Sequence, residues 1–173
     1  NGGGLYLLNN NKSNTINIVI DNYIDANPNL SVNTTIKGNV AGTSGGGIYL
    51  EKGDQSPDLS KISITLNGAK IQGNTATNGS GGGVYLKGLN VTSDQDAVGI
   101  VVAGNTSKEQ GGGICVDGTG GGVSMTISNG TIGKYDADNQ GYGANISDTG
   151  GGIYVSDATL TINGGLIIGN KSN

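Results

Sequence analysis

Five glycine triplets, each followed by a short apolar segment, constrain the fold of this chain more than any other feature. The segments read GGGLYL, GGGIYL, GGGVYL, GGGICV and GGGIYV, and they begin at Gly2, Gly45, Gly81, Gly111 and Gly150. A second motif, an aliphatic residue followed closely by Gly-Asn, ends at Asn39, Asn74, Asn105 and Asn170. Motifs that recur in a constant order every ~20–50 residues are the signature of a solenoid, in which each repeat buries its apolar face against its neighbours.

A third segment lies between the two motifs and alternates aliphatic with small polar residues. It reads INIVI, ISITL, VSMTI and LTI, beginning at Ile16, Ile62, Val123 and Leu160. This alternation, bounded by Gly, Asn and Asp, predicts short half-buried strands, and no stretch has helical periodicity. Each repeat then contributes three strands to one coil. The sequence predicts an all-β fold, a single-stranded right-handed parallel β-helix (solenoid) of about five coils of three short strands, in one domain over residues 1–173.

The glycine and asparagine motifs are predicted to form the corners of the coils. Triplets such as Gly45, Gly46 and Gly47 suit a corner where stacked coils approach closely and where φ can be positive. The asparagines suit a second corner, because Asn tolerates the left-handed conformation and its amide bonds nearby backbone. Stacking would align these side chains as an amide ladder, which the fourth coil interrupts. Its predicted members are Asn39, Asn74, Asn105 and Asn170.

One position in the triplet segment holds a tyrosine in four coils and Cys115 in the fourth. Strand alternation points Ile48 and Leu50 into the core and Tyr49 outward. The outward stripe is a candidate surface for a sugar or a partner chain, and it consists of Tyr6, Tyr49, Tyr85 and Tyr154. The alternative is that these tyrosines only pack across neighbouring strands, for which tyrosine is well suited. Cys115 is predicted to be an inert substitute at this position.

Extra residues in the longer repeats are predicted to be loops that leave the coil, over 25–33, 51–60, 93–96 and 135–149. Two loops carry a D-x-D-x-x-G pattern that resembles the opening of a Ca²⁺ loop. The carboxylates are Asp94 and Asp96 in one loop and Asp136 and Asp138 in the other. Neither loop ends in a Glu at the twelfth position, so we predict no cofactor, with Ca²⁺ at these aspartates as the alternative.

Missing residue types exclude several classes of function. The chain has no His and, read along its rows, no Arg, which rules out a Ser-His-Asp triad, an imidazole metal site and a bidentate Arg clamp. The formal net charge of −4 argues against nucleic acid as a partner. No apolar run approaches the ~18 residues of a membrane span. The single cysteine cannot close a disulfide within the chain.

Two other classes of function were compared with a non-catalytic role. A polysaccharide-degrading lyase or glycoside hydrolase needs placed carboxylates or bases, and the acids here fall mainly in predicted loops. The exceptions near strand ends are Asp117, Asp148 and Asp157, and nothing distinguishes an acid from a base among them. An ice-binding surface would need an unbroken outward threonine ladder. The ladder predicted here is broken in the first and third coils, and it contains Thr65, Thr126 and Thr161.

The GGG-aliphatic-Tyr segment with its upstream Ile-x-Gly-Asn resembles the repeats of right-handed parallel β-helix domains in microbial surface proteins. These include autotransporter passenger domains, polymorphic outer-membrane proteins and adhesin-like repeats, and the resemblance covers all five coils. It implies a non-catalytic, extracellular stalk or adhesin passenger segment at the cell surface, which presents loops to host or microbial glycans or proteins. Joined tail to head, the sequence continues its own repeat spacing, so we expect an excerpt of a longer array with flanking coils as partners.

Overall fold

Twenty short β-strands and no helix make up the regular structure of the residues that the computed structural model describes. These residues are 1–9, 16–20, 34–53, 62–88, 90–92, 99–119, 123–134 and 143–173. The strands recur in groups of four along the chain, and each group forms one coil. The described chain therefore contains five coils.

The strand bounds follow the repeats. The first coil contains β1 (Leu5–Asn9), β2 (Ile16–Ile20), β3 (Thr35–Lys37) and β4 (Val40–Ala41). The second contains β5 (Ile48–Lys52), β6 (Ile62–Leu66), β7 (Lys70–Gln72) and β8 (Thr75–Ala76). The third contains β9 (Val84–Lys87), β10 (Asn90–Thr92), β11 (Ile100–Ala103) and β12 (Thr106–Ser107). The fourth contains β13 (Ile114–Asp117), β14 (Val123–Ile127), β15 (Gly130–Gly133) and β16 (Ile146–Ser147). The fifth contains β17 (Ile153–Ser156), β18 (Ala158–Ile162), β19 (Leu166–Ile168) and β20 (Lys171–Ser172).

Equivalent strands of successive coils pair in parallel and form four five-stranded sheets. The first sheet has the order β1-β5-β9-β13-β17, and the second runs β2-β6-β10-β14-β18. The third runs β3-β7-β11-β15-β19, and the fourth runs β4-β8-β12-β16-β20. Each strand thus pairs with its counterpart in the next coil. The predicted all-β parallel β-helix of five coils is confirmed.

Each coil contains one strand more than the sequence predicted. The first three sheets hold the three predicted strands, and the fourth sheet holds two-residue strands such as Thr75–Ala76 and Thr106–Ser107. These short segments share no apolar alternation, so no pattern indicates them. Two predicted loops are also shorter than expected: Glu51 and Lys52 extend β5, and β16 lies within the predicted loop 135–149. The other predicted loop residues lie largely outside the described residues.

The core is a column of medium-sized aliphatic side chains inside the coils. Its register follows the sheets, as where Ile48 pairs with Val84 and Ile114 pairs with both Val84 and Ile153. Ile48, Val84 and Ile114 are fully buried. The repeat pattern predicts Ile162 and Ile167 inside the core as well, but they are 47% and 48% exposed, because no described coil covers the fifth.

Truncation of one core side chain should show how much the column contributes. Ile64 lies in β6 and is 1% exposed, so we expect Ile64→Ala to lower the free energy of unfolding by about 3 kcal/mol. Val19 occupies an outward position on the neighbouring strand and is 56% exposed. Val19→Ala, the matched control, should change stability by less than about 0.5 kcal/mol. Urea denaturation measures both, and equal effects would contradict the assignment of the core.

Candidate functional site

The glycine triplets form a corner at which each glycine meets a different steric demand. The first, Gly45, has φ +69°, a conformation that residues with a side chain rarely adopt. A Cβ atom on the second, Gly46, would lie 2.3 Å from the carbonyl oxygen of Gly82 in the next coil. A Cβ on the third, Gly47, would lie 3.0 Å from Nδ2 of Asn74. At this corner the backbones of adjacent coils therefore pack directly against each other, and the missing side chains leave room for the amide of Asn74.

The asparagine corners form a continuous ladder of side-chain amides. Oδ1 of Asn74 accepts hydrogen bonds from the backbone N and from Nδ2 of Asn39, both at 3.0 Å. Asn105 accepts the same two bonds from Asn74 at 2.9 and 3.0 Å. Asn74 and Asn105 also donate to backbone carbonyls, since Nδ2 of Asn74 bonds Ile36 at 3.0 Å and Nδ2 of Asn105 bonds Ile71 at 2.9 Å. The ladder thus joins coil to coil through groups that are fully buried at Asn74 and Asn105.

The expected interruption of this ladder in the fourth coil is wrong, because Asn145 occupies that position. Oδ1 of Asn145 accepts from the backbone N and Nδ2 of Asn105 at 3.0 Å, and its Nδ2 donates to Oδ1 of Asn170 at 2.9 Å. Asn145 follows Gly-Ala rather than Gly, so the Gly-Asn motif misses it. The sequence does contain a signal for Asn145, which is its spacing. Asn145 precedes the triplet that begins at Gly150 by a similar number of residues as Asn105 precedes the triplet that begins at Gly111.

The predicted tyrosine stripe forms a stack of rings rather than a row of exposed faces. The ring centroids of Tyr6 and Tyr49 are 5.2 Å apart, and those of Tyr49 and Tyr85 are 5.1 Å apart, with interplanar angles of 19° and 16°. Tyr6, at the end of the stack, is 47% exposed, whereas Tyr49 is only 5% exposed. The side chain of Tyr49 lies on the outer face of the strand, as expected, but its neighbours cover it. The flat faces of Tyr49 are therefore not available to a ligand.

Charged side chains form a row beside the rings, two residues further along β5, β9 and β13, and these residues are Glu51, Lys87 and Asp117. The phenol of Tyr49 donates to Oε2 of Glu51 at 2.7 Å, and Nζ of Lys87 donates to Oε1 of Glu51 at 2.9 Å. The phenol of Tyr85 donates to Oδ2 of Asp117 in the next coil at 2.9 Å. The other oxygen of Asp117 accepts from the backbone N of Thr119 at 2.9 Å and from its hydroxyl. These bonds fix the orientation of Tyr49 and Tyr85.

Burial and hydrogen bonding together determine the pKa values of these carboxylates and of the phenols beside them. Burial alone would raise the pKa of Glu51, but donation from Lys87 and Tyr49 outweighs it and holds the pKa below its ordinary value. The same holds for Asp117. Burial alone would raise its pKa, but hydrogen bonds from Thr119 and Tyr85 outweigh burial and lower the pKa below its ordinary value. Burial, reinforced by the neighbouring carboxylates, raises the pKa of both phenols. Both carboxylates are therefore ionised and both phenols protonated near neutral pH.

Removal of the Glu51 charge should make the free energy of unfolding less dependent on pH in the acidic range. The folded pKa of Glu51 lies below the unfolded pKa, so its contribution is complete above the unfolded value and is lost as the pH falls through the folded one, below about pH 5. Because Lys87 is partly exposed, we expect Glu51→Gln to cost only about 1 kcal/mol at pH 7. The difference in the free energy of unfolding between the unchanged chain and Glu51→Gln should shrink as the pH falls below about 5. Urea denaturation at several pH values measures it, and parallel curves for the two proteins would contradict this account.

Cys115 leaves a gap in the tyrosine stack. It is paired in register with Tyr85 on one side and Tyr154 on the other. A cleft of about 200 Å³ opens between these two tyrosines. Cys115 lies in its lining, and the polar lining consists of Gln110, Asp117, Thr119 and Ser156. The thiol itself is 1% exposed, and burial and the charge of Asp117 raise its pKa to about 12, which keeps it protonated.

The structure brings only two of the three candidate acidic residues to the same end of paired strands. Asp117 is in register with Ser156, the residue before Asp157, whereas Asp148 precedes β17 and pairs with Lys108 at 3.3 Å. Within the described ranges, no group of three His, Cys, Asp or Glu side chains could hold a metal ion. The aspartates that resemble a Ca²⁺ loop lie outside the described residues, and they are Asp94, Asp96, Asp136 and Asp138.

Threonines occupy one register position of the second sheet in more coils than expected. In the backbone pairing, Thr92 lies in register with Thr65 and Thr126, so the third coil also has a threonine at this position. Thr161 occupies it in the fifth coil. The sequence pattern does not indicate Thr92, because β10 has only three residues, too few for a clear alternation. The first coil is the exception, since Val19 stands at this position.

Comparison with known proteins adds no assignment to this geometry. No family model, no curated protein and no solved structure matches the chain. In the part of the chain that the structure describes, no helix is long and apolar enough to cross a membrane. The functional proposal therefore has to rest on the fold, on the surface of the first sheet and on the repeat pattern.

Proposed function

We propose that this chain is a non-catalytic stalk or adhesin segment of an extracellular surface protein, in which a parallel β-helix holds binding segments away from the cell. The observation that supports the proposal most is the uninterrupted stack of four parallel sheets through all five coils. The internal asparagine ladder crosses every coil boundary as well. A scaffold that repeats without a break is suited to extension and to presentation of loops.

The lengths of the connecting segments also support presentation. Residues 163–165 connect the second-sheet and third-sheet strands of the fifth coil, whereas residues 21–34 connect the equivalent strands of the first coil. The added residues do not change the register of the strands on either side. Variable segments on an invariant scaffold are a common arrangement for binding, because the scaffold bears the entropy cost of ordering and the segments supply specificity.

Three measurements test the proposed role. Antibodies raised against the chain should label intact, unpermeabilised source cells, and the purified chain should bind glycans or matrix proteins on an array. Incubation with a polysaccharide panel should yield neither new reducing ends nor unsaturated uronates. Absence of label on intact cells would contradict the surface location. Release of either product would favour the alternative, a lyase or glycoside hydrolase on the same scaffold.

A further inference from the structure

We propose that the gap at Cys115 is a binding slot for one pyranose ring of a glycan. The slot is the cleft between Tyr85 and Tyr154, with Cys115 in its lining. The inference rests on the proposed binding role and adds to it a ligand class. It also places the ligand on the wall of the helix rather than on the loops. Three properties of the slot support a pyranose: its width, its lining and the remaining hydrogen-bonding capacity of Asp117.

The width of the slot suits one ring. Tyr49 lies between Tyr6 and Tyr85 with its centroid 5.2 and 5.1 Å from theirs, so the stack has room for one ring per strand. At the fourth coil the strand carries a small thiol instead, and two strand spacings, roughly 9.5 Å, separate the strands of Tyr85 and Tyr154. A flat ligand ring inserted above Cys115 would occupy the position of the missing phenol.

The lining favours a ligand ring that carries several hydrogen-bonding groups. Tyr85 and Tyr154 stand on either side of the cleft, its accessible surface is mainly polar, and the remaining polar side chains are Gln110, Asp117, Thr119 and Ser156. The amide oxygen of Gln110 accepts from Ser80 at 3.3 Å, which assigns its NH₂ group as the donor for a ligand. An aromatic side chain of a partner would bury such groups without hydrogen bonds, at a cost in free energy. The hydroxyl groups of a pyranose match this polar lining, and its compact ring fits between the two tyrosines.

Asp117 favours a hydroxyl over a cation. A carboxylate has about four acceptor positions, and Asp117 already accepts from the phenol of Tyr85 and from the backbone N and hydroxyl of Thr119. One position is left, which suits a single ligand hydroxyl. A guanidinium group pairs most strongly with a carboxylate through two parallel bonds, for which Asp117 has too few free positions. The slot therefore favours a neutral polyol ring over an arginine side chain.

The test fills the slot instead of destroying it. Methyl glycosides of glucose, galactose, mannose and N-acetylglucosamine are titrated into the full chain, and binding is measured by saturation-transfer difference NMR and by tyrosine fluorescence, since the chain has no Trp. We expect at least one glycoside to bind with a dissociation constant of about 1–10 mM. Cys115→Tyr should weaken that binding by about tenfold or more, because the new phenol occupies the ring position. Its melting temperature should be unchanged or higher.

Two control variants separate the slot from other causes. Ser156→Ala removes a polar group of the lining and should weaken binding, whereas Tyr6→Ala removes the ring at the far end of the stack and should not change it. The slot is contradicted if no glycoside binds, if Cys115→Tyr binds as well as the unchanged chain, or if arginine amide binds in place of the glycosides. The slot can fail without the wider role: a glycan bound equally by the chain and by Cys115→Tyr keeps the adhesin proposal and overturns the slot.

Discussion

Replacement of Asn105 by Ala should lower the free energy of unfolding by about 4 kcal/mol. Oδ1 of Asn105 accepts from the backbone N and the Nδ2 of Asn74, and its own Nδ2 donates to Ile71 and to Asn145. The variant leaves the buried backbone N–H of Asn74 without its acceptor and removes one bond from each of three other polar groups. Because the site is fully buried, water cannot replace these bonds without entering the stack. Urea denaturation measures the loss.

The end of the ladder provides the matched control. Asn39 is half-buried and donates to a single side chain, that of Asn74, so Asn39→Ala should cost only about 1 kcal/mol. Asn105→Asp keeps the accepting oxygen but places a second oxygen against the acceptors of Ile71 and Asn145, and it should lose nearly as much as Asn105→Ala. If Asn105→Ala and Asn39→Ala differ by less than about 1 kcal/mol, the ladder does not hold the coils together as described.

Replacement of Gly82 by Ala should have a larger effect, a loss of more than about 5 kcal/mol or no folded protein. The added Cβ would lie 2.4 Å from the carbonyl oxygen of Gly112 and 2.5 Å from the carbonyl carbon of Thr106. Both atoms belong to backbone, so neither can move away by a side-chain rotation. Relief would require the third and fourth coils to separate at this corner, which would break the parallel pairing on either side. Circular dichroism and thermal unfolding measure the outcome.

A second glycine separates this steric effect from the general consequences of losing glycine. Gly42 is exposed, it has no positive φ, and no atom lies within 4 Å of a Cβ built there. Gly42→Ala should be neutral or should stabilise the fold by up to about 1 kcal/mol, because alanine reduces the entropy of the unfolded chain. A folded Gly82→Ala variant of similar stability to Gly42→Ala would show that the coils do not approach each other as closely as the structure has them.

The fold could largely be predicted because its determinants recur in sequence. The glycine triplet marks one corner in all five coils, and the alternation of Ile62 to Leu66 and its counterparts indicates the second-sheet strands directly. The strands of the fourth sheet could not be predicted. Segments such as Val40–Ala41 and Lys171–Ser172 share neither polarity nor size, and they are strands because the neighbouring coils supply hydrogen-bond partners.

The candidate site was predictable only in part, because its main feature depends on contacts between coils. Alternation correctly places Tyr49 on the outer face, but its burial comes from Tyr6 and Tyr85, which lie in other coils. Cys115 was expected to be inert, and its buried, protonated thiol agrees with that expectation. The cleft beside it is not a property of the cysteine. It arises because a small residue stands between two tyrosines in register, which only the strand pairing reveals.

The parallel stacking of equivalent strands is the central claim, and cross-strand NOEs in a uniformly labelled sample test it most directly. The structure predicts backbone NOEs that connect Ile48 with Val84, and Ile114 with both Val84 and Ile153, in the pattern of parallel pairing. The alternative is that the strands of one repeat pair with each other in antiparallel hairpins. NOEs between β5 and β6 in antiparallel register, with none between Ile48 and Val84, would contradict the β-helix and every inference drawn from its register.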